Sequence, residues 1–157
     1  MVNVTTNDWQ EADYVALAGS LWRSYHELTN VPDDIDALTV ADTIYHHPCP
    51  VLCHDGASDP RFIYVNLAAQ TLFERPWPEF IGIPSRLSAE PEARDDRAQM
   101  LARATEQGYI DDYQGVRISR SGRRFRISKT VIWTVRGNAD TAIGQAALIR
   151  QWSFLDS

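Results

Sequence analysis

Apolar positions along this chain follow two rhythms, and the change between them predicts the order of elements. From Trp9 to Leu28, residues Tyr14, Leu17, Ala18, Leu21, Trp22, Tyr25 and Leu28 recur at intervals of three and four, which is one stripe along a helix. Asn7 or Asp8 stands where a side-chain cap would start it. A second helix is predicted from Pro32, a residue tolerated in a first helical turn, to about His46. Asp33 and Asp34 stand near its positive end, and Ile35, Leu38 and Tyr45 form its weaker stripe. At HHPCPVLCHDG the prolines end the helix, and Val51 to Cys53 read as a strand closed by the Asp55-Gly56 turn signal.

FIYVN follows as a second strand, rich in β-branched and aromatic residues. Asn66 opens a short helix in LAAQTLFE, WPEFIG supplies another turn of helix ending at Gly82, and Pro91 to Gln107 form a longer helix stopped at Gly108, with Met100, Leu101 and Ala104 inward. YQGVRIS and RRFRISKTVIWTV flank Ser121-Gly122 as an antiparallel hairpin, RGNADTA is a further turn, and IGQAALIRQW is a last strand. Two strands, a helical crossing and a three-strand meander predict an α+β fold. It has a five-stranded antiparallel sheet with helices on one face, behind an N-terminal helical cap.

Length and composition narrow the class. A chain of 157 residues suits one domain, here 1–157, with 1–48 as the cap and 49–157 as the core. Fifteen basic against twenty-one acidic residues argue against nucleic acid and anionic membranes as partners. The start lacks a signal-peptide layout and no stretch approaches the length of a membrane span, so a soluble cytoplasmic protein is expected. Two cysteines, Cys49 and Cys53, are too few and too close for a disulfide framework.

DPRFIYVNLAAQTLFERPWPEFIG within this element order resembles a PAS domain. PVLCHDGASDPRFIYVNLAAQTLF, PSRLSAEPEARDDRAQML, GYIDDYQGVRIS and GRRFRI together resemble the bacterial MEKHLA-domain proteins, over roughly Leu21 to Trp152. That family is similar to the C-terminal domain of plant class III homeodomain-leucine-zipper factors, so the resemblance implies a sensory or dimerising module and brings no defined chemistry. GIPSRLSAEPE further parallels a segment of light-sensing LOV domains, with Ser85 where their photoreactive cysteine stands and Arg86 where an arginine holds the flavin phosphate. The flavin-reading asparagines fall at Arg117 and Ile127, and the strand glutamine at Ala146 beside Gln145. The resemblance therefore excludes a LOV photocycle, and neither flavin nor haem is supported by the motif.

Carried over position by position, the resemblance places Leu52, His54, Ile127, Lys129 and Val131 on an inner sheet face. It sets Ser85, Arg86 and Arg117 at the wall, and Asn66 and Gln145 complete the expected ligand-binding set. Several cations there would favour a small anionic ligand, because a buried charge must find a partner.

The remaining chemistry-bearing residues read plainly. His46, His47, Cys49, Cys53 and His54 lie close together, but strand neighbours point to opposite faces, so a metal site is not expected. His54 stands alone as a pocket hydrogen-bond donor or haem ligand. Asp111 and Asp112 read as a solvated turn, and GIPSR is no nucleophile elbow. Arg117, Arg120, Arg123, Arg124, Arg126 and Lys129 alternate along a strand as an exposed basic face does. Trp22 and Tyr25 are candidate anchors of a homodimer. The expected function is a stand-alone sensor that binds a small molecule and signals through a partner or its own dimer. The alternatives are a ligand-free interaction module with Phe62, Phe73, Phe125 and Trp133 filling the pocket, and an enzyme using His54.

Overall fold

The computed structural model describes residues 8–90 and 94–155. Helix α1 (Ala12–Ser24) follows a 3-10 turn at Asp8–Gln10, and its N-cap is Glu11, whose side chain makes no capping bond. The expected cap at Asp8 is therefore not used, and Asn7 lies outside the described residues. At Tyr25 the backbone becomes extended, and a 3-10 turn at His26–Leu28 carries the stripe on to the buried Leu28.

Helix α2 (Ala37–Tyr45) begins later than Pro32. The Asp36 carboxylate accepts from the Thr39 amide and hydroxyl, both at 2.9 Å, whereas Pro32 precedes a turn closed by the Ile35 amide at 3.2 Å. A side chain that satisfies an orphan helix-end amide outweighs a proline that is merely tolerated.

Strands β1 (Val51–Asp55) and β2 (Phe62–Val65) lead into α3 (Leu67–Phe73), α4 (Trp77–Phe80) and α5 (Arg94–Gln107). The start expected for α5 at Pro91 lies outside the described residues, and Gly108 stops the helix at φ 88°. Strands β3 (Tyr109–Ile118), β4 (Arg124–Arg136), β5 (Ala142–Leu148) and β6 (Gln151–Phe154) complete the sheet. Its order is β2-β1-β5-β4-β3, all antiparallel, with β6 a sixth strand beside β4.

The stretch expected as one last strand is thus broken in two. β5 pairs the C-terminal half of β4 (Val131↔Leu148) and β6 its N-terminal half (Phe125↔Phe154). Between them, Lys129 of β4 adopts φ 47° and the Ile149 amide turns to the Pro50 carbonyl at 3.0 Å. One inserted residue in a strand sends all that follows to the opposite face. Ile127, Thr130 and Ile132 therefore line one side of the sheet, and Val131, Trp133 and Val135 are buried on the other.

Helices α3, α4 and α5 cover the first side: Phe73 of α3 meets Phe125 at 5.1 Å and Phe80 of α4 meets Phe62 at 4.9 Å. The cap covers the second, where Tyr25 stacks near Trp133 at 5.0 Å and the Arg136 amide donates to the Ser24 hydroxyl at 2.9 Å. Aromatic contacts run through the cap from Trp9 on Tyr45 (5.2 Å) to Tyr14 on Trp77 (4.8 Å). Trp22 is 8% exposed and belongs to this core, so it is not available as an interface anchor.

Candidate functional site

A cavity of about 60 Å³ lies between the first sheet face and the helices. Its walls are largely apolar, with Leu52, Phe62, Phe73, Leu101, Ile127 and Ile132, and its polar groups come from His54, Ser88, Tyr113, Arg117, Thr130 and Gln145. Of the residues expected at a ligand site, the fold brings Leu52, His54, Arg117, Ile127 and Gln145 together here.

The other five lie elsewhere. Val131 and Lys129 are displaced by the bulge: Val131 is buried on the cap side and Lys129 is exposed. Arg86 is exposed and pairs with Asp59 at 3.2 Å. Ser85 is buried in a 3-10 turn (Ser85–Ser88), where its amide donates to the Pro60 carbonyl at 2.8 Å and its carbonyl accepts from the Ser88 hydroxyl at 2.8 Å. Asn66 is fully buried as a junction of elements. Its oxygen accepts from the Val51 and Ala69 amides (2.8 and 3.0 Å), and its amide group donates to the Ile44 and Cys49 carbonyls (3.1 and 3.0 Å).

The polar wall is held from two sides. The His54 ring is tied through Nδ1 to the Asp55 carbonyl at 2.8 Å. Gln145 donates from Nε2 to the Leu101 carbonyl at 2.9 Å and the Thr105 hydroxyl at 2.7 Å, which binds β5 to α5 across the cavity. On β3, Arg117 donates to the Val116 carbonyl at 2.9 Å and to the Tyr113 hydroxyl, and its guanidinium lies 5.2 Å from the Tyr113 ring centroid. Tyr113 and Gly115 were not anticipated. Their signal was present as Tyr113, Gly115 and Arg117, three alternate residues of one strand that share a face.

The other chemical clusters resolve into pairs. Cys53 and His54 alternate across β1, and burial pushes the Cys53 thiol far above its usual range. Arg120 pairs with Glu79 at 2.7 Å, Arg124 with Glu90 at 3.8 Å, and Arg123 lies over the Phe154 ring at 3.4 Å. Much of the basic strand is thus matched by acid or aromatic neighbours. Asp111 and Asp112 lie within β3 rather than in a turn, both exposed, with Asp112 3.5 Å from Arg103.

The MEKHLA domain family profile matches residues 15–154. The chain belongs to the MEKHLA-domain family. No curated protein matches it in sequence. Among solved structures, this MEKHLA domain is similar to the PAS domain of a protein from Colwellia psychrerythraea. That likeness has 17% identity, covers 72% of this chain and 93% of that one, and has a TM-score of 0.64. A light-oxygen-voltage domain studied with a flavin analogue is 14% identical, with 79% of this chain and 87% of that one covered and a TM-score of 0.58. A variant of Vivid is 15% identical, with 66% and 81% covered and a TM-score of 0.54. The fold is therefore of the PAS and LOV type. No helix among the described residues is long and apolar enough to cross a membrane.

Where the cap of the MEKHLA domain meets β1, His47 accepts the Cys49 amide at Nδ1, 3.0 Å away. Burial, with Arg150 nearby, holds its pKa below the ordinary histidine value. The unfolded chain therefore takes up a proton at a higher pH than the native one, so this contribution to stability is present above about pH 6.5 and is lost as pH falls through the lower native value. Denaturant unfolding of the native chain should show declining stability below pH 6.5. His47→Gln, which keeps an acceptor but cannot titrate, should flatten that decline; an unchanged slope would assign the acid sensitivity to other groups.

Proposed function

We propose that this MEKHLA domain is a sensory module that binds a small molecule in the cavity and passes its occupancy to a protein partner or to a second copy of the chain. The observation that carries the reading is Gln145. It stands in the cavity wall and holds α5 through two hydrogen bonds, so a ligand that competes for or reorients this amide acts directly on a helix. A second route runs through β4, where Ile132 faces the cavity and its neighbour Trp133 packs against Tyr25 at the end of the cap. The exposed Leu67, Trp152 and Phe154 border a groove near β6 and form an apolar face suited to a contact.

A cavity of about 60 Å³ is far below the roughly 300–1,000 Å³ of a drug-sized or cofactor site, which argues against flavin and haem. The same small volume favours the second reading, an interaction module whose core is filled by Phe62, Phe73 and Phe125, whereas Trp133, also expected there, packs on the cap side. Catalysis by His54 has less support, since no carboxylate lines the cavity among the described residues to serve as its acid–base partner.

Native mass spectrometry of freshly purified protein, set against the denatured mass and an absorbance spectrum, tests the first reading. A retained small-molecule mass is expected. A bare mass, a featureless spectrum and no stabilisation by any small molecule would transfer the assignment to the interaction module.

A further inference from the structure

The cavity contains one full positive charge among its described lining residues, Arg117, and that side chain is only 6% exposed. Its guanidinium donates to a backbone carbonyl and a phenol hydroxyl, both neutral, and no carboxylate pairs with it among the described residues. Taking a guanidinium out of water without a counter-charge is strongly unfavourable. The strand is shaped for this arrangement. A Cβ on Gly115 would lie 2.9 Å from the Tyr113 hydroxyl oxygen and 3.3 Å from Arg117 Nη1, so the hydroxyl and the guanidinium meet in space that a larger residue would crowd.

Arg117 presents a planar fork of donors that matches the two oxygens of a carboxylate. The Tyr113 hydroxyl accepts from Arg117, which leaves its own proton to give away. Both groups therefore offer donors, and the complementary ligand is an acceptor carrying negative charge. Size and wall chemistry narrow it further. About 60 Å³ is less than half of the ~150 Å³ apolar cavity that admits benzene, and its apolar lining includes Leu52, Phe62 and Ile127.

We propose that the cavity is a monoanion site, in which Arg117 and Tyr113 hold the carboxylate of a short aliphatic acid of the acetate-to-propionate size and the apolar walls take its alkyl end. This rests on the cavity being a ligand site, and it names the class of ligand. Arg86 and Lys129, the other cations expected here, lie outside the cavity, so the site is built for one negative charge rather than two.

The test is titration of the full chain with sodium acetate and sodium propionate, at ionic strength held constant with sodium chloride, followed by amide chemical shifts and thermal unfolding. Acetamide serves as the neutral isostere. Saturable shifts at cavity residues with acetate or propionate, at least tenfold weaker with acetamide, are expected. Arg117→Met should lose that discrimination and Tyr113→Phe should weaken carboxylate binding about tenfold, the loss of one hydrogen bond to a charged group. Equal binding of acetamide and acetate, or unchanged affinity in a folded Arg117→Met protein, would overturn the charge assignment while leaving the cavity a ligand site. No response to any of the three, together with a bare native mass, would overturn both. The acetate–acetamide comparison needs only the native chain, so it decides the matter even if the variants fail to fold.

Discussion

Asn66→Ala is expected to lower the stability of this MEKHLA domain by about 2–4 kcal/mol, because one buried side chain serves three elements at once. The loss combines a helix cap, worth about 1 kcal/mol, with buried amides and carbonyls that lose their partners at about 1–3 kcal/mol for the group. The Asn66 oxygen caps α3 through the Ala69 amide and also holds the Val51 amide of β1, while its amide group holds the carbonyls of Ile44 in α2 and Cys49 before β1. At a few degrees per kcal/mol for a chain of this length, the midpoint of thermal unfolding should fall by roughly 4–16 °C. Calorimetry or denaturant unfolding reads this directly. A loss below about 1 kcal/mol would mean that the residue acts as a cap alone.

Gly144→Ala should destabilise nearly as much, for a steric reason. A Cβ at this position would lie 1.9 Å from the His54 carbonyl oxygen and 2.9 Å from its carbon, at the Asp55 end of the β1–β5 pairing. The obstacle is backbone, so no rotamer change relieves it and the two strands must separate. Overpacking costs about 1–3 kcal/mol, and the rigid neighbour puts this substitution at the upper end, about 3 kcal/mol. His54 and Gln145 stand beside the displaced pair, so the amide signals of both strands should shift along with the drop in unfolding midpoint. A variant with native stability and unshifted β1 and β5 resonances would show that the strands pass farther apart than the structure places them.

Most elements were legible in the sequence because each carried its own local signal. The FIYVN strand, the helix opened by Asn66, the stop at Gly108 and the hairpin at Ser121-Gly122 all follow from propensity and turn chemistry within a few residues. The starts of the first two helices were not, since competing caps and prolines stood near each other and only the packed chain selects Glu11 and Asp36.

The candidate site was half legible. Leu52, His54, Arg117, Ile127 and Gln145, which the family resemblance pointed to, do line the cavity. Val131 and Lys129 do not, because the count of alternating positions fails at the bulge, and a lysine in a left-handed conformation leaves no mark in composition or period. Arg86 was placed by analogy with a phosphate-binding arginine, and a surface partner, Asp59, holds it outside.

By itself the sequence determined the α+β class, the family and the order of elements up to the last strand, since all of these are written in short-range periodicity and motif. The tertiary structure alone decided which sheet face each residue of β4 presents, that the cap packs on the face opposite the cavity, and that Arg117 is the buried cation left inside. These depend on pairings between residues far apart in the chain, where a single inserted residue reverses every position after it.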